Sequence, residues 1–135
     1  MSEENVELYR RGIDAFNRRD LDAFLSTCDP DVEFFSRFLE LEGGVPYRGH
    51  EGLRSWWEEL LDVSPDFRGD IEEIRELGDD VVIARVRFHG HGAESNVPMD
   101  QTSWQIVRGR DTKAIWSGIY RSEAEALEAV GLSGD

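Results

Sequence analysis

Between Val81 and Arg121 three long β-prone segments follow one another directly: Val81 to Gly90, Met99 to Arg108 and Lys113 to Arg121. A parallel pair needs a crossover of a dozen or more residues, and the gap from Arg108 to Lys113 is far too short for one. The three segments are therefore predicted to pair antiparallel as a meander, with helices kept outside it. Alternation in the first segment sets Val82, Ala84, Val86 and Phe88 on one face and Arg85, Arg87 and His89 on the other. One face is apolar and the other basic, so the rest of the chain must cover the apolar one.

The N-terminal half supplies that cover. Val6, Tyr9, Ile13 and Phe16 recur at helical spacing behind Ser2, a possible cap, and behind Glu3 and Glu4, which suit the positive end of a helix. Asp20 is placed to cap a second helix in which Leu21, Phe24, Leu25 and Cys28 share a face, ended by Asp29-Pro30-Asp31. Val32 to Phe38 reads as a strand with aromatics on both faces, and Leu39 to Tyr47, with Gly43-Gly44 and Pro46, as a surface loop. From Gly49 the residues Leu53, Trp56, Trp57, Leu60 and Leu61 trace the clearest helix, stopped at Ser64-Pro65. Phe67 to Leu77 mixes steps of two and three, which fits a bulged strand. Gly90, Gly92 and Pro98 bracket a loop, and Ser122-Glu123-Ala124-Glu125 has the spacing of a capping box for a last helix that Gly131 would end.

A chain of 135 residues is the size of one domain, spanning 1–135 here, and its four Trp, seven Phe and three Tyr are the main core stock. The net charge of −14 repels phosphate backbones and anionic membrane surfaces, which argues against nucleic acid or membrane as partner. The single cysteine, Cys28, excludes an intramolecular disulfide. The acidic N-terminus lacks the features of a signal peptide, and no apolar run approaches a membrane span, so a cytoplasmic location is expected. No Gly-rich phosphate loop, Cys/His metal spacing or Ser-centred nucleophile motif is present, and no cofactor is expected.

The run Asp14-Ala15-Phe16-Asn17-Arg18-Arg19-Asp20-Leu21-Asp22 is followed by Asp29-Pro30-Asp31-Val32-Glu33 and Tyr47-Arg48-Gly49-His50-Glu51-Gly52, then by a Trp-bearing helix and a closing Tyr120-Arg121-Ser122-Glu123-Ala124-Glu125-Ala126-Leu127. In order and spacing these resemble the SnoaL-like branch of the nuclear transport factor two-like superfamily. The resemblance implies an α+β cone of cystatin-like type: a strongly curved, mostly antiparallel sheet wrapped around a long N-terminal helix, with a short C-terminal helix. It also implies a pocket between sheet and helix and a homodimer through the sheet. The family includes ketosteroid isomerase, polyketide cyclases, dehydratases and limonene epoxide hydrolase, so fold does not settle function. The positions of the isomerase's oxyanion-hole Tyr and general base fall on Gly12 and near Ser36, and neither residue can serve. The cyclases' acidic residue falls near Gln105, with Asp100 earlier on the same strand.

Asp100 is the best remaining candidate for a general base, on the argument that a strand start at a pocket mouth could be dry enough to raise a carboxylate pKa; a solvated strand-end carboxylate is the favoured alternative. Phe16, Phe34, Tyr47, Trp56, Trp57 and Trp104 are candidates to line an apolar pocket, with Gln105 and Arg37 offering hydrogen bonds to a ligand. Ordinary core packing is the competing reading for the aromatics. Trp104 shares a face with Ile106, and Trp116 with Gly118 and Tyr120, a row that faces either pocket or partner. His89 and His91 lie two apart on one strand face, but Arg85 and Arg87 on that face would repel a metal, so an exposed basic face is the expectation. His50 reads as a helix-start residue and Cys28 as an inert buried thiol.

Three functional classes remain open at this point: a binder of a small, largely apolar molecule, a cofactor-independent acid/base enzyme on a carbonyl or polyketide-like substrate with Asp100 or Gln105 as catalytic residue over the substrate and Arg37 polarising it, and a protein-interaction module using the convex sheet. A carboxylate at the floor of a closed pocket would favour the enzyme. A solid interior would favour the module, and a roomy pocket without a placed acid the binder.

Overall fold

The computed structural model describes residues 2–36 and 46–131. They form helices α1 (Ser2–Asn17), α2 (Leu21–Ser26), α3 (Gly49–Val63) and α4 (Glu123–Ala129), and strands β1 (Cys28–Ser36), β2 (Tyr47–Arg48), β3 (Arg68–Glu76), β4 (Val81–His91), β5 (Pro98–Arg110) and β6 (Lys113–Tyr120). The strands make one sheet in the order β2-β1-β6-β5-β4-β3, antiparallel throughout except where β1 pairs β6. That parallel pair is joined by most of the chain, so its crossover requirement is met by α3 and the whole meander.

The meander is as expected. β4 and β5 pair without interruption from Val81 opposite Arg108 to His91 opposite Pro98. The turn into β6 has Asp111 and Thr112 both left-handed, at φ 52° and 61°, as a two-residue hairpin turn of type I′ requires. The register of β3 against β4 shifts between Ile71 and Glu73, which is the bulge that the mixed periodicity of this segment predicts.

The run Asn17-Arg18-Arg19-Asp20 turns out to be the fastening of the N-terminal helices. Asn17 donates to the carbonyl of Gly69 (2.8 Å) and accepts from its amide (3.0 Å), tying the end of α1 to the edge strand β3. Arg19 is left-handed at φ 62°, and its guanidinium donates to the carbonyls of Phe16, Pro65 and Phe67 while lying 5.2 Å from the Phe16 ring centroid. Asp20 caps α2 by accepting from Ala23 N at 3.0 Å. Cys28, expected on that helix, instead begins β1: the helix ends at Ser26, the Thr27 hydroxyl donates to the Phe24 carbonyl at 2.7 Å, and Cys28 pairs with Ala114. Pro30 therefore falls inside a strand. Proline has no amide to donate, and the register of β1 on β6 shifts between Cys28 and Glu33 as it passes.

Gly49 opens α3 at φ 68°, where a Cβ would stand 3.0 Å from the carbonyl oxygen of Pro30, so glycine is required there on both counts. The helix buries Leu53, Trp56, Trp57 and Leu60. They join Tyr9 and Phe16 of α1, with Val82, Ala84, Val86 and Phe88, in the main core on the inner face of the sheet. On the outer face α4, capped by Ser122 accepting from Glu125 N at 3.2 Å, covers a smaller core. It sets Ala126 and Leu127 against Val81, Ile83, Ile106 and Tyr120, with Phe35, Trp104 and Trp116 packed at its edge. The loop predicted over Leu39 to Tyr47 lies outside the described residues up to position 45, and Tyr47 itself starts β2.

Candidate functional site

The inner core does not close. Between α1, α2, α3 and the inner face of the sheet lies a cavity whose space for the centres of water-sized atoms is about 60 Å³, within about 660 Å³ of unfilled volume counting its mouth. A single water occupies roughly 10–15 Å³ on the first measure, so the hollow takes a small organic molecule rather than one trapped solvent molecule. Phe16, Phe24 and Trp56 of the helices wall one side, and Val32, Phe34, Phe88, Val107, Ala114 and Ile119 of the sheet wall the other. Its polar lining consists of Tyr9, Thr27, Cys28, Gln105 and Ser117. None of the described lining residues carries a carboxylate, an imidazole, an ammonium or a guanidinium.

Three of those polar groups form a chain across three elements. The Tyr9 hydroxyl on α1 donates to Gln105 Oε1 on β5 at 2.7 Å, and Gln105 Nε2 donates to the Ser117 hydroxyl on β6 at 2.9 Å. This leaves the second N–H of Gln105 and the O–H of Ser117 as donors, and the Tyr9 oxygen as an acceptor. Burial pushes the Tyr9 phenol well above its ordinary value, so it stays neutral and keeps its proton for Gln105. Burial also pushes the Cys28 thiol up, against the opposing hydrogen bond from Thr27 and the charge of Lys113. Among the described lining residues the cavity therefore carries no charge, and its polar groups gather at the Tyr9–Gln105–Ser117 chain and the Thr27–Cys28 pair.

The family model for the SnoaL-like domain matches residues 9–116, a stretch containing α1 from Tyr9 onward, most of the cavity lining, with Leu8, Ser117 and Ile119 outside it, and the meander as far as Trp116. The chain belongs to the SnoaL-like family. Solved structures share the fold of this SnoaL-like chain over almost its full length. One is an NTF2-like protein of unknown function from Burkholderia pseudomallei, 18% identical, TM-score 0.79, covering 95% of this chain and 98% of that one. Another is TerC, co-crystallized with polyporic acid, 22% identical, TM-score 0.77, with 93% and 96% covered. A third is a hypothetical protein with a ketosteroid isomerase-like fold from Catenulispora acidiphila, in complex with trimethylamine, 17% identical, TM-score 0.75, with 93% of each chain covered. No curated protein matches the chain.

The predicted site residues divide sharply on this frame. Phe16, Phe34, Trp56 and Gln105 line the SnoaL-like cavity, as does Gly12, the position of the isomerase's tyrosine. Trp57 is buried but turned away into a ring cluster with Phe16 (5.1 Å between centroids) and Phe24 (5.2 Å). Tyr47 is not in the lining: its ring lies 6.3 Å from Phe34 and its hydroxyl donates to Glu59 at 2.8 Å. Trp104 is on the outer face beside α4, as alternation with the inward Gln105 demands. Arg37 lies outside the described residues.

Asp100 takes the favoured alternative, a solvated strand-end carboxylate, and not the role of general base. It shares its parity with Trp104 on the outer face, its side chain is 52% exposed, and Arg87 donates to both its oxygens at 2.8 and 2.7 Å. The Arg87 hydrogen bonds hold its carboxyl below the usual range, the opposite of the shift a general base at a dry mouth needs. The histidines likewise have carboxylate partners of their own: His89 Nε2 lies 2.7 Å from Asp70 and His91 Nδ1 2.7 Å from Asp66, while His50 Nε2 sits 3.0 Å from the Cys28 carbonyl. Tyr9 and Ser117 are the site residues that sequence reasoning missed. Tyr9 stood on the buried stripe of α1, and the signal was there, because a buried tyrosine needs a partner for its hydroxyl.

Proposed function

We propose that this SnoaL-like protein binds a small, neutral, largely apolar molecule carrying one hydrogen-bonding oxygen, which sits at the Gln105–Ser117 pair inside the cavity. The observation that carries the reading is a cavity with no charged group among its described lining residues, crossed by the Tyr9–Gln105–Ser117 chain of hydrogen bonds. A charged ligand would give up its hydration there with no counter-ion among the described lining residues, at a cost of several kcal/mol. A carbonyl oxygen, by contrast, meets two donors already held in place.

Acid/base catalysis finds no placed acid among the described lining residues, and its candidate carboxylate is tied to Arg87 outside. The test uses Trp56, which lines the cavity, as an internal fluorophore. Titration with acetophenone should quench or shift its emission saturably, and the response should vanish in Trp56→Phe. Benzoate, of nearly the same shape but anionic at neutral pH, should give no saturation. Equal responses to both, or saturation by neither, would overturn the reading.

A further inference from the structure

One glycine of the cavity wall is not explained by its own surroundings in the chain. Gly12 is buried in the interior of α1, where glycine weakens a helix relative to alanine. Glycine is ordinarily kept inside a structure for a left-handed backbone or for a close approach. Every other described glycine meets one of those needs: Gly49, Gly78 and Gly131 have positive φ, and a Cβ on any of the rest would stand 3.0 Å or less from an atom of another residue. Gly12 meets neither. Its φ is not positive, and beyond its own helix backbone and chain neighbours the nearest atom to a Cβ there is Thr27 Oγ1 at 3.6 Å, an ordinary contact.

The space that a side chain at position 12 would take is cavity. The lining residues of α1 are Leu8, Tyr9, Gly12, Ile13 and Phe16, so Gly12 stands at the centre of the inward stripe, three residues after Tyr9 and four before Phe16. Residues at those spacings are neighbours on a helix surface. The stripe thus has a gap one side chain wide, beside the tyrosine that begins the hydrogen-bonded chain to Gln105 and Ser117. Phe16, Phe24, Phe34, Trp56 and Phe88 give the cavity flat aromatic walls, which favour a ring as occupant.

We infer that the ligand carries a flat ring that lies against the α1 backbone at Gly12, with its carbonyl oxygen at Gln105–Ser117, and that the missing side chain sets what the cavity takes. The inference rests on the binding function proposed above and narrows its ligand to an aromatic or similarly planar ketone. A rigid ring fills the gap only while position 12 is bare. Alanine there gains helix stability and loses ligand, two effects of opposite sign from one methyl group.

Acetophenone and methyl propyl ketone share the carbonyl and differ in ring against chain. Each is titrated into the unaltered protein and into Gly12→Ala, with binding read from amide chemical shifts by NMR. The unaltered protein should bind acetophenone about tenfold more tightly, for its larger apolar area. G12A should weaken acetophenone about tenfold, because a rigid ring cannot bend away from a methyl group, and methyl propyl ketone about threefold at most, because a chain can. Without ligand, G12A should melt about 2–6 °C above the parent. Equal acetophenone affinity in the two proteins would overturn the placement of the ring and leave the cavity's binding role intact. Equal weakening of both ketones would do the same, since position 12 would then not tell ring from chain. Melting of G12A below the parent would show that the chain's own packing claims the space, and the inference would fail there. Failure of the unaltered protein to saturate with either ketone would overturn the inference and the binding function together.

Discussion

The two faces of β4 and β5 carry polar side chains of different kinds, and their surroundings differ accordingly. On the outer face Arg85, Arg87 and His89 meet Glu72, Glu73, Asp100 and Asp70 in water, at 2.7 to 3.3 Å. On the inner face Ser103 and Gln105 are neutral and stand among Val82, Ala84, Val86 and Val107. Residue types that suggest chemistry are thus paired with one another outside, where exposed ion pairs contribute little. The inside holds a few hydrogen bonds in a low dielectric, where each broken one is felt in full. Substitutions should therefore rank by face rather than by how reactive the residue looks.

The largest effect should come from Trp56→Ala. That ring lies between Phe34 (4.7 Å between centroids), Phe16 (5.8 Å) and Phe24 (6.3 Å), on the wall of a cavity that its loss would enlarge. A loss of about 3–5 kcal/mol is expected in urea unfolding, with the slope unchanged. A loss below ~1 kcal/mol would mean that this wall yields freely, and the inner face would then be no stiffer than the outer.

Next comes Tyr9→Phe, which leaves Gln105 Oε1 buried and short of its donor. A cost of about 1–3 kcal/mol follows. Combining it with Gln105→Leu, which removes the group left unsatisfied, should cost less than the sum of the two single changes. Strict additivity would show that the chain is not a unit.

The sheet and its caps were legible in the sequence because they are local. Period-two alternation over Val82 to Phe88, the short gap after Arg108, and Asp20 and Ser122 ahead of their helices each act within a few residues. The site was less legible because its contacts are distant: Tyr9 and Gln105 are 96 positions apart, and their bond follows from the way α1 lies on the sheet. Trp56 and Trp57 look equivalent in sequence, yet neighbours on a helix point about 100° apart, and only Trp56 faces the cavity. Trp104 shows another limit. Alternation grouped it with Ile106 correctly but left the face open, and what decides the face is α4, a seven-residue helix that buries Ala126 and Leu127 there. Ser103 and Ser117 are small hydroxyls on strands, with no periodic signal to separate them from solvent-facing serines.

The smallest effects should come from the outer carboxylates, and they should be confined to acid. The side-chain and backbone hydrogen bonds of His91 bring the Asp66 carboxyl from an ordinary 3.8 down to about 2. Asp70 and Asp100 are lowered by His89 and Arg87. A folded-state pKa below the unfolded one contributes stability that is present above the unfolded value and is lost as pH falls through the folded value. The urea midpoint should therefore hold above pH ~5 and decline mainly below the ordinary 3.8, toward about 2, with Asp66→Asn removing part of that decline. Acetophenone affinity should be flat from pH ~5 to ~8, because the shifted groups in the lining, Tyr9 and Cys28, are both pushed upward and remain neutral throughout. Asp100→Asn should leave that affinity unchanged as well. A titration step in affinity that disappears in this variant would put Asp100 in communication with the cavity, and the separation of the two faces would fail at that residue.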